Sequence, residues 1–374
     1  MFFSHNVLYV TIKKQYTRQT EGREFMDKTK QNKTKTKKRV LYFHMLNICA
    51  TLEVVFLHTN GIAHTYSNTA AWFQALAIEV LFYWPVPIFF MLSGATLMNY
   101  RSRYTTAEFF KKRFMRTVIP FVVWTLLTAA VKRINPLVIG EKDFINRCFN
   151  TSIENVYWFF IPLFAIYIAM PVISRLKDER GTLWYMFGSA FLLNSFLPFL
   201  FSFVGLKWNY SLSMPVVGGC LLFAILGYLL ATTEFDIKKR IVMYCLGIFG
   251  ILLRYTATVF LSVRDGVINK TFFGYSEFFS VFLAVAVFVL FKESKIIKKL
   301  ENNKKAARII SKLSGCSFGV YLIHMFVLRL FLRILPLSYQ GFVFRLAGPV
   351  IIYLIAVSVV FVLKKIPVIK YIVP

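Results

Sequence analysis

Ten long apolar runs separated by short polar segments organise the chain, at about 40–58, 77–99, 117–131, 156–174, 183–203, 214–231, 241–261, 275–291, 316–335 and 343–363. Apolar and polar positions do not alternate inside them, as they would in the strands of a transmembrane barrel. A helix rising about 1.5 Å per residue needs about 20 residues to cross about 30 Å of hydrocarbon. It also satisfies its own backbone groups, which lipid cannot do. The pattern therefore predicts an all-α polytopic membrane protein with about ten transmembrane helices. The third run is short, and to span in full it must extend back through the basic segment before it. The first run follows a long basic tail rather than a short charged start, so it reads as a retained span and not a removable signal.

Composition agrees with this picture: 57% of the 374 residues are hydrophobic, 41 are Phe and only 17% are charged. The formal charge of +28 suggests a nucleic-acid partner until its distribution is examined. If the loops are taken alternately from the N-terminal tail, 34 Lys and Arg lie on the tail's side and 8 on the other. The remaining three, Arg254, Arg329 and Arg333, fall within runs, while Arg345, counted among the 8, sits at the outer edge of the last run. This asymmetry follows the positive-inside rule: it places both termini in the cytoplasm of a multi-pass plasma-membrane protein and gives the basic face anionic lipid, not nucleic acid, as its partner. Three regions follow. Residues 1–39 form a basic, disordered cytoplasmic tail, with Met26 an alternative start; 40–365 form the membrane domain; 366–374 form a short cytoplasmic tail. The basic segment 292–312 suits helices lying along the inner membrane face. No internal repeat and no separate soluble domain stand out.

The five cysteines, Cys49, Cys148, Cys220, Cys245 and Cys316, lack paired CxxC spacing and read as small apolar packers rather than metal ligands or a disulfide frame. The chain lacks a phosphate loop, an HExxH zinc pattern and a GxSxG elbow, which weighs against an ATP-driven pump, a zincin and a serine hydrolase. Three constellations remain. In LNICATLEVVFLHTNG, His58 lies deep in an apolar run, and an ionisable side chain kept there marks a candidate site. The alternative is a histidine that only hydrogen-bonds a neighbouring helix. Asn47 lies eleven residues earlier, about three turns and so on the same face, whereas Glu53 points away from that stripe. In PVPIFFMLSGATLM the Ser93–Gly94 pair lets two helix backbones approach closely. Beyond it, Arg113 and Arg116, three residues apart, share a helix face suited to phosphate, with ordinary positive-inside charge as the alternative. In SFGVYLIHMFVLRLFLRILP, Tyr321 and His324 share one face, and Arg329 and Arg333 share another.

In order and spacing, LNICATLEVVFLHTN, VPIFFMLSGATLM, FFKKRFMRTVIPFVVWTLL, YWFFIPLFAIYIAMPVI, LLFAILGYLLA and LSGCSFGVYLIHMFVL resemble the integral-membrane acyltransferase-3 family over about residues 40–365. That family moves acyl groups, usually acetyl, onto surface sugars. Its first span usually carries Arg-x10-His: His58 matches the histidine, and Asn47 occupies the arginine position without supplying a fixed charge. Its inner Arg-x-x-Arg pair is matched by Arg113 and Arg116, and its late Tyr-x-x-His by Tyr321 and His324.

The resemblance implies a cytoplasmic acyl-CoA, most simply acetyl-CoA, as a donor substrate with no permanently bound cofactor. It implies an extracytoplasmic glycan or lipid-linked sugar as acceptor. Arg113 and Arg116 would hold the donor phosphates. His58 would be the general base for the sugar hydroxyl, and Tyr321, His324 or Asn47 would stabilise the oxyanion. An acyl-histidine intermediate is compatible with the same residues. A polytopic transporter or flippase for a polysaccharide or small solute is the competing reading; against it stands the lack of repeated halves.

Overall fold

The computed structural model describes residues 40–335 and 341–374; the predicted N-terminal tail, residues 1–39, lies outside the described residues. The membrane domain is all-α among the described residues. Its main helices are α1 (Leu41–Thr59), α2 (Ala70–Leu81), α3 (Pro85–Leu97), α4 (Thr106–Arg113), α5 (Ile119–Val131), α6 (Phe160–Ile173), α7 (Arg180–Phe191), α8 (Leu221–Thr232), α9 (Ile237–Asp265), α10 (Phe278–Glu293), α11 (Lys295–Asn302), α12 (Lys304–Ser314), α13 (Ser317–Ile334) and α14 (Phe342–Leu363).

Eight helical stretches among the described residues are long and apolar enough to cross a membrane, and each corresponds to one predicted run. The other two runs form the shorter helices α8, of 12 residues, and α10, of 16. The run drawn at 214–231 begins as helix only at Leu221. Pro215 and the Gly218–Gly219 pair precede it, and Gly219 takes a left-handed φ of 51°, which an α-helix cannot include. The run drawn from 117 extends back to Thr106, as a full span requires. Thr105 starts it with a capping box: its hydroxyl accepts from the Glu108 backbone N–H, and the Glu108 carboxylate accepts from the Thr105 backbone N–H. The basic segment 292–312 folds as the short amphipathic helices α11 and α12.

Burial follows membrane logic. On α9 the buried positions are Gly247, Gly250, Arg254, Thr258 and Ser262, while Ile241, Ile248, Phe249, Leu252 and Phe260 are exposed. Small and polar residues line the bundle side and apolar ones face outward, because lipid offers helices no hydrophobic reason to associate. The short α8 is the exception: every residue from Leu221 to Leu230 is buried. A helix apolar all round belongs at a core, and α8 sits there against α3. Two glycines permit this approach. A Cβ on Gly94 would lie 1.7 Å from the Ala224 carbonyl oxygen, and one on Gly227 would lie 2.1 Å from that of Met91. The Ser93–Gly94 pair therefore does what its sequence predicts.

Helix α1 packs against α3, α12, α13 and α14, so both its ends are held. At the end nearer the basic helices, Asn47 Nδ2 donates to the Ser314 carbonyl and to its Oγ, both at 3.1 Å, and His44 bonds the same hydroxyl at 3.0 Å. The other end carries His58.

Candidate active site

His58 is the second-last residue of α1, where the helix meets a cavity of about 150 Å³. Its Nδ1 lies 2.7 Å from the Val54 carbonyl one turn back. A carbonyl only accepts, so Nδ1 carries the proton and Nε2 keeps a free lone pair. This is the state a general base needs.

His324 of α13 stands beside it, the two ring centroids 5.0 Å apart at 67°, edge to face. His324 Nδ1 donates to the Tyr321 carbonyl at 2.7 Å, and its Nε2 is buried without a partner. The structure thus brings together His58 and His324, which sequence periodicity places on unrelated helices. Tyr321 also lines the cavity, but its hydroxyl donates to the Val156 carbonyl. To serve as an oxyanion donor it would have to leave that bond.

The bond is half of a clasp. Tyr157 returns a hydrogen bond from its hydroxyl to the Leu322 carbonyl at 2.9 Å. Just before it, the Glu154 carboxylate is buried and takes both Arg329 contacts at 2.8 and 2.9 Å, with Lys132 Nζ at 3.3 Å. Segment 154–159 is thereby fixed to α13, with Trp158 on the cavity wall. This accounts for Arg329 inside an apolar run: it is paired, as a cation there must be. Arg333, one turn on, is exposed.

The remaining predicted residues lie elsewhere. Asn47 is not among the cavity-lining residues; eleven residues at about 1.5 Å each put it roughly 16 Å below His58, spent on Ser314. Between Arg113 and Arg116 the helix opens into a π turn, Phe114–Val118. The wider turn undoes the shared face that a spacing of three implies in a regular helix. Arg113 is half-buried, its guanidinium 5.6 Å from the Tyr167 ring centre and its Nε buried without a partner, while Arg116 is exposed. No group of three or more His, Cys, Asp or Glu able to hold a metal occurs among the described residues.

Sequence reasoning missed much of the cavity: His64, Glu79, Tyr83, Trp158 and Tyr275 also line it. Glu79, in the apolar run of α2, is 3% exposed and was open to the argument that singled out His58. His64 sits in the turn after α1, and nothing in its local sequence marks it. Burial first, then the nearby Lys270 and His58, hold its imidazole below the usual range, so it rests neutral. The rings of Tyr83 and Tyr275 stack at 4.3 Å and those of Tyr275 and Trp158 at 5.5 Å, forming one aromatic wall. Arg254 holds the loop that carries Tyr275: it donates to the carbonyls of Phe272 at 2.7 Å and Gly274 at 3.2 Å, and lies 4.0 Å over the Tyr83 ring.

The acyltransferase-3 family, described as an acyltransferase domain, matches residues 40–364. No curated protein and no solved structure matches the chain.

Proposed function

Since the chain belongs to the acyltransferase-3 family and is therefore a membrane acyltransferase, we propose that it moves an acyl group, acetyl foremost, from a cytoplasmic acyl-CoA to a hydroxyl of a sugar or surface glycan outside the cell membrane. The observation that carries this reading is the state of His58. Its Nε2 makes no hydrogen bond and His58 lines the cavity, at the end of α1 away from the basic helices. A hydroxyl is a poor nucleophile until its proton is taken, and a positioned neutral imidazole contributes about 10²–10⁴ in rate.

The step balances without a further reactant. The hydroxyl proton passes to His58 Nε2 as the oxygen bonds to the thioester carbon. The C–S bond then breaks, and the proton returns to the departing thiolate. The cavity measures about 150 Å³. That suits a thioester end and one edge of a sugar ring, with the rest of each substrate outside. His324 Nε2 has no partner in the resting state and stands close enough to steady the imidazolium that forms at His58.

Arg113 and Arg116 remain the donor-phosphate residues of this proposal, one half-buried against Tyr167 and one exposed, as two points along a long nucleotide head rather than a single fork. Purified protein in lipid nanodiscs, labelled acetyl-CoA and an acceptor glycan test it. His58→Ala should lower transfer by at least about a hundredfold with the elution profile unchanged. Normal turnover by that variant removes His58 from the mechanism.

A further inference from the structure

The cavity holds more polar groups than one proton transfer needs. Glu79 is buried in a membrane-spanning stretch, yet its partners are distant. Asn60 Nδ2 reaches one carboxylate oxygen at 3.4 Å, and His64 Nε2 lies 3.6 Å from the other. Asn60 is itself fixed, donating to the Ala75 carbonyl at 2.7 Å. Arg254, within electrostatic range of Glu79, donates through Nε and Nη2 to Phe272, Gly274 and Ser280, and no hydrogen bond joins it to Glu79. A carboxylate offers about four lone-pair sites, and burying it half-satisfied is costly. What little exposure Glu79 has coincides with the cavity that His58 also lines.

We propose that Glu79, braced by Asn60 and flanked by His64, is a second hydroxyl-binding group of this cavity, so that the acceptor is selected as a 1,2-diol. One hydroxyl meets His58 Nε2 and its neighbour donates to the Glu79 carboxylate. This rests on His58 receiving the reacting hydroxyl. A sphere of the cavity's volume is about 7 Å across, so one small ring reaches groups on different walls. The stacked Trp158, Tyr275 and Tyr83 rings provide the apolar surface for the ring's C–H face. His64, with its Nε2 3.6 Å from the carboxylate's second oxygen, is a positioning residue: it covers that oxygen and turns the first, which Asn60 reaches only at 3.4 Å, toward the ligand.

The test compares cyclohexanol with cis-1,2-cyclohexanediol as acceptors, reading CoA thiol released from acetyl-CoA by full-length protein in nanodiscs. The ratio of the two rates cancels differences in the amount of folded protein. A site built to bind a second hydroxyl should favour the diol at least about tenfold in the wild type. Glu79→Gln should bring the ratio to within about twofold, and His64→Asn should lower it part-way. A wild-type ratio near one, or a ratio unchanged in Glu79→Gln, overturns the proposal. If neither alcohol releases CoA, the His58 reading fails instead. The diol site is then judged by saturation-transfer NMR of the diol without acyl-CoA: signal in the wild type that is lost in Glu79→Gln supports it, and equal or absent signal refutes it.

Discussion

Substituting Gly94 by alanine adds one methyl group at the closest point between α3 and α8. That carbon would sit 1.7 Å from the Ala224 carbonyl oxygen and 2.4 Å from its carbonyl carbon. Ordinary contact begins near 3.4 Å, so the helices must separate by about 1.7 Å at that point. The obstacle is backbone, and no side-chain rotamer relieves it. A gap of only 0.5–1 Å already forfeits about a quarter to a half of the dispersion energy across a contact. Phe90, Met91 and Leu97 of α3 and Phe223, Ile225 and Leu226 of α8 are buried in the same core and would lose contacts together. Overpacking that side chains absorb costs about 1–3 kcal/mol; this one belongs at or above about 3 kcal/mol.

Gly227→Ala pushes the same two helices apart from the other side, by about 1.3 Å, because its Cβ would lie 2.1 Å from the Met91 oxygen. One separation relieves both clashes, so the double variant should cost little more than Gly94→Ala alone, a clear departure from additivity. Gly188→Ala is the control: it lies within α7, nothing stands within 4 Å of its Cβ, and it should be neutral or stabilising by up to about 1 kcal/mol. The midpoint of heat-driven unfolding in detergent, followed by loss of the monodisperse chromatographic peak, reads the wild type and all four variants. A Gly94→Ala midpoint equal to that of Gly188→Ala would refute the close approach of α3 and α8.

The other expectations concern the walls of the cavity. Arg329→Met leaves the buried Glu154 with Lys132 alone and should destabilise by about 1–3 kcal/mol, with recovery on adding Glu154→Gln; a single variant as stable as the wild type would show that the pair contributes nothing. Tyr321→Phe orphans the Val156 carbonyl and should cost about 1–3 kcal/mol, and combined with Tyr157→Phe it should release segment 154–159, seen as faster amide exchange confined to that segment. Arg254→Lys should not substitute for arginine, because an ammonium cannot meet Phe272, Gly274 and Ser280 in one planar fork; proteolysis between 266 and 277 should accelerate, and an unchanged cleavage rate would contradict the anchoring role.

The spans were legible because lipid imposes a minimum length and excludes charge, and both constraints are written in hydropathy. The Ser93–Gly94 approach was legible for a related reason: small residues ending an apolar run have few other uses. The start of α8 was not, because Pro215 and Gly218–Gly219 leave mean hydropathy high while breaking the backbone. The π turn between Arg113 and Arg116 was hidden as well, since any argument from spacing assumes the regular helix it interrupts. Periodicity describes the middles of helices, whereas the cavity is built at their ends. His58 is one residue from the end of α1, His64 lies in the turn beyond it, Trp158 precedes α6 and Tyr275 precedes α10. Polar chemistry gathers there because a side chain at a helix end loses less hydration than one at mid-span. The pressure that makes the spans readable thus moves the reactive groups into the segments where sequence carries least information, and tertiary contacts such as the His58–His324 pair must bring them together.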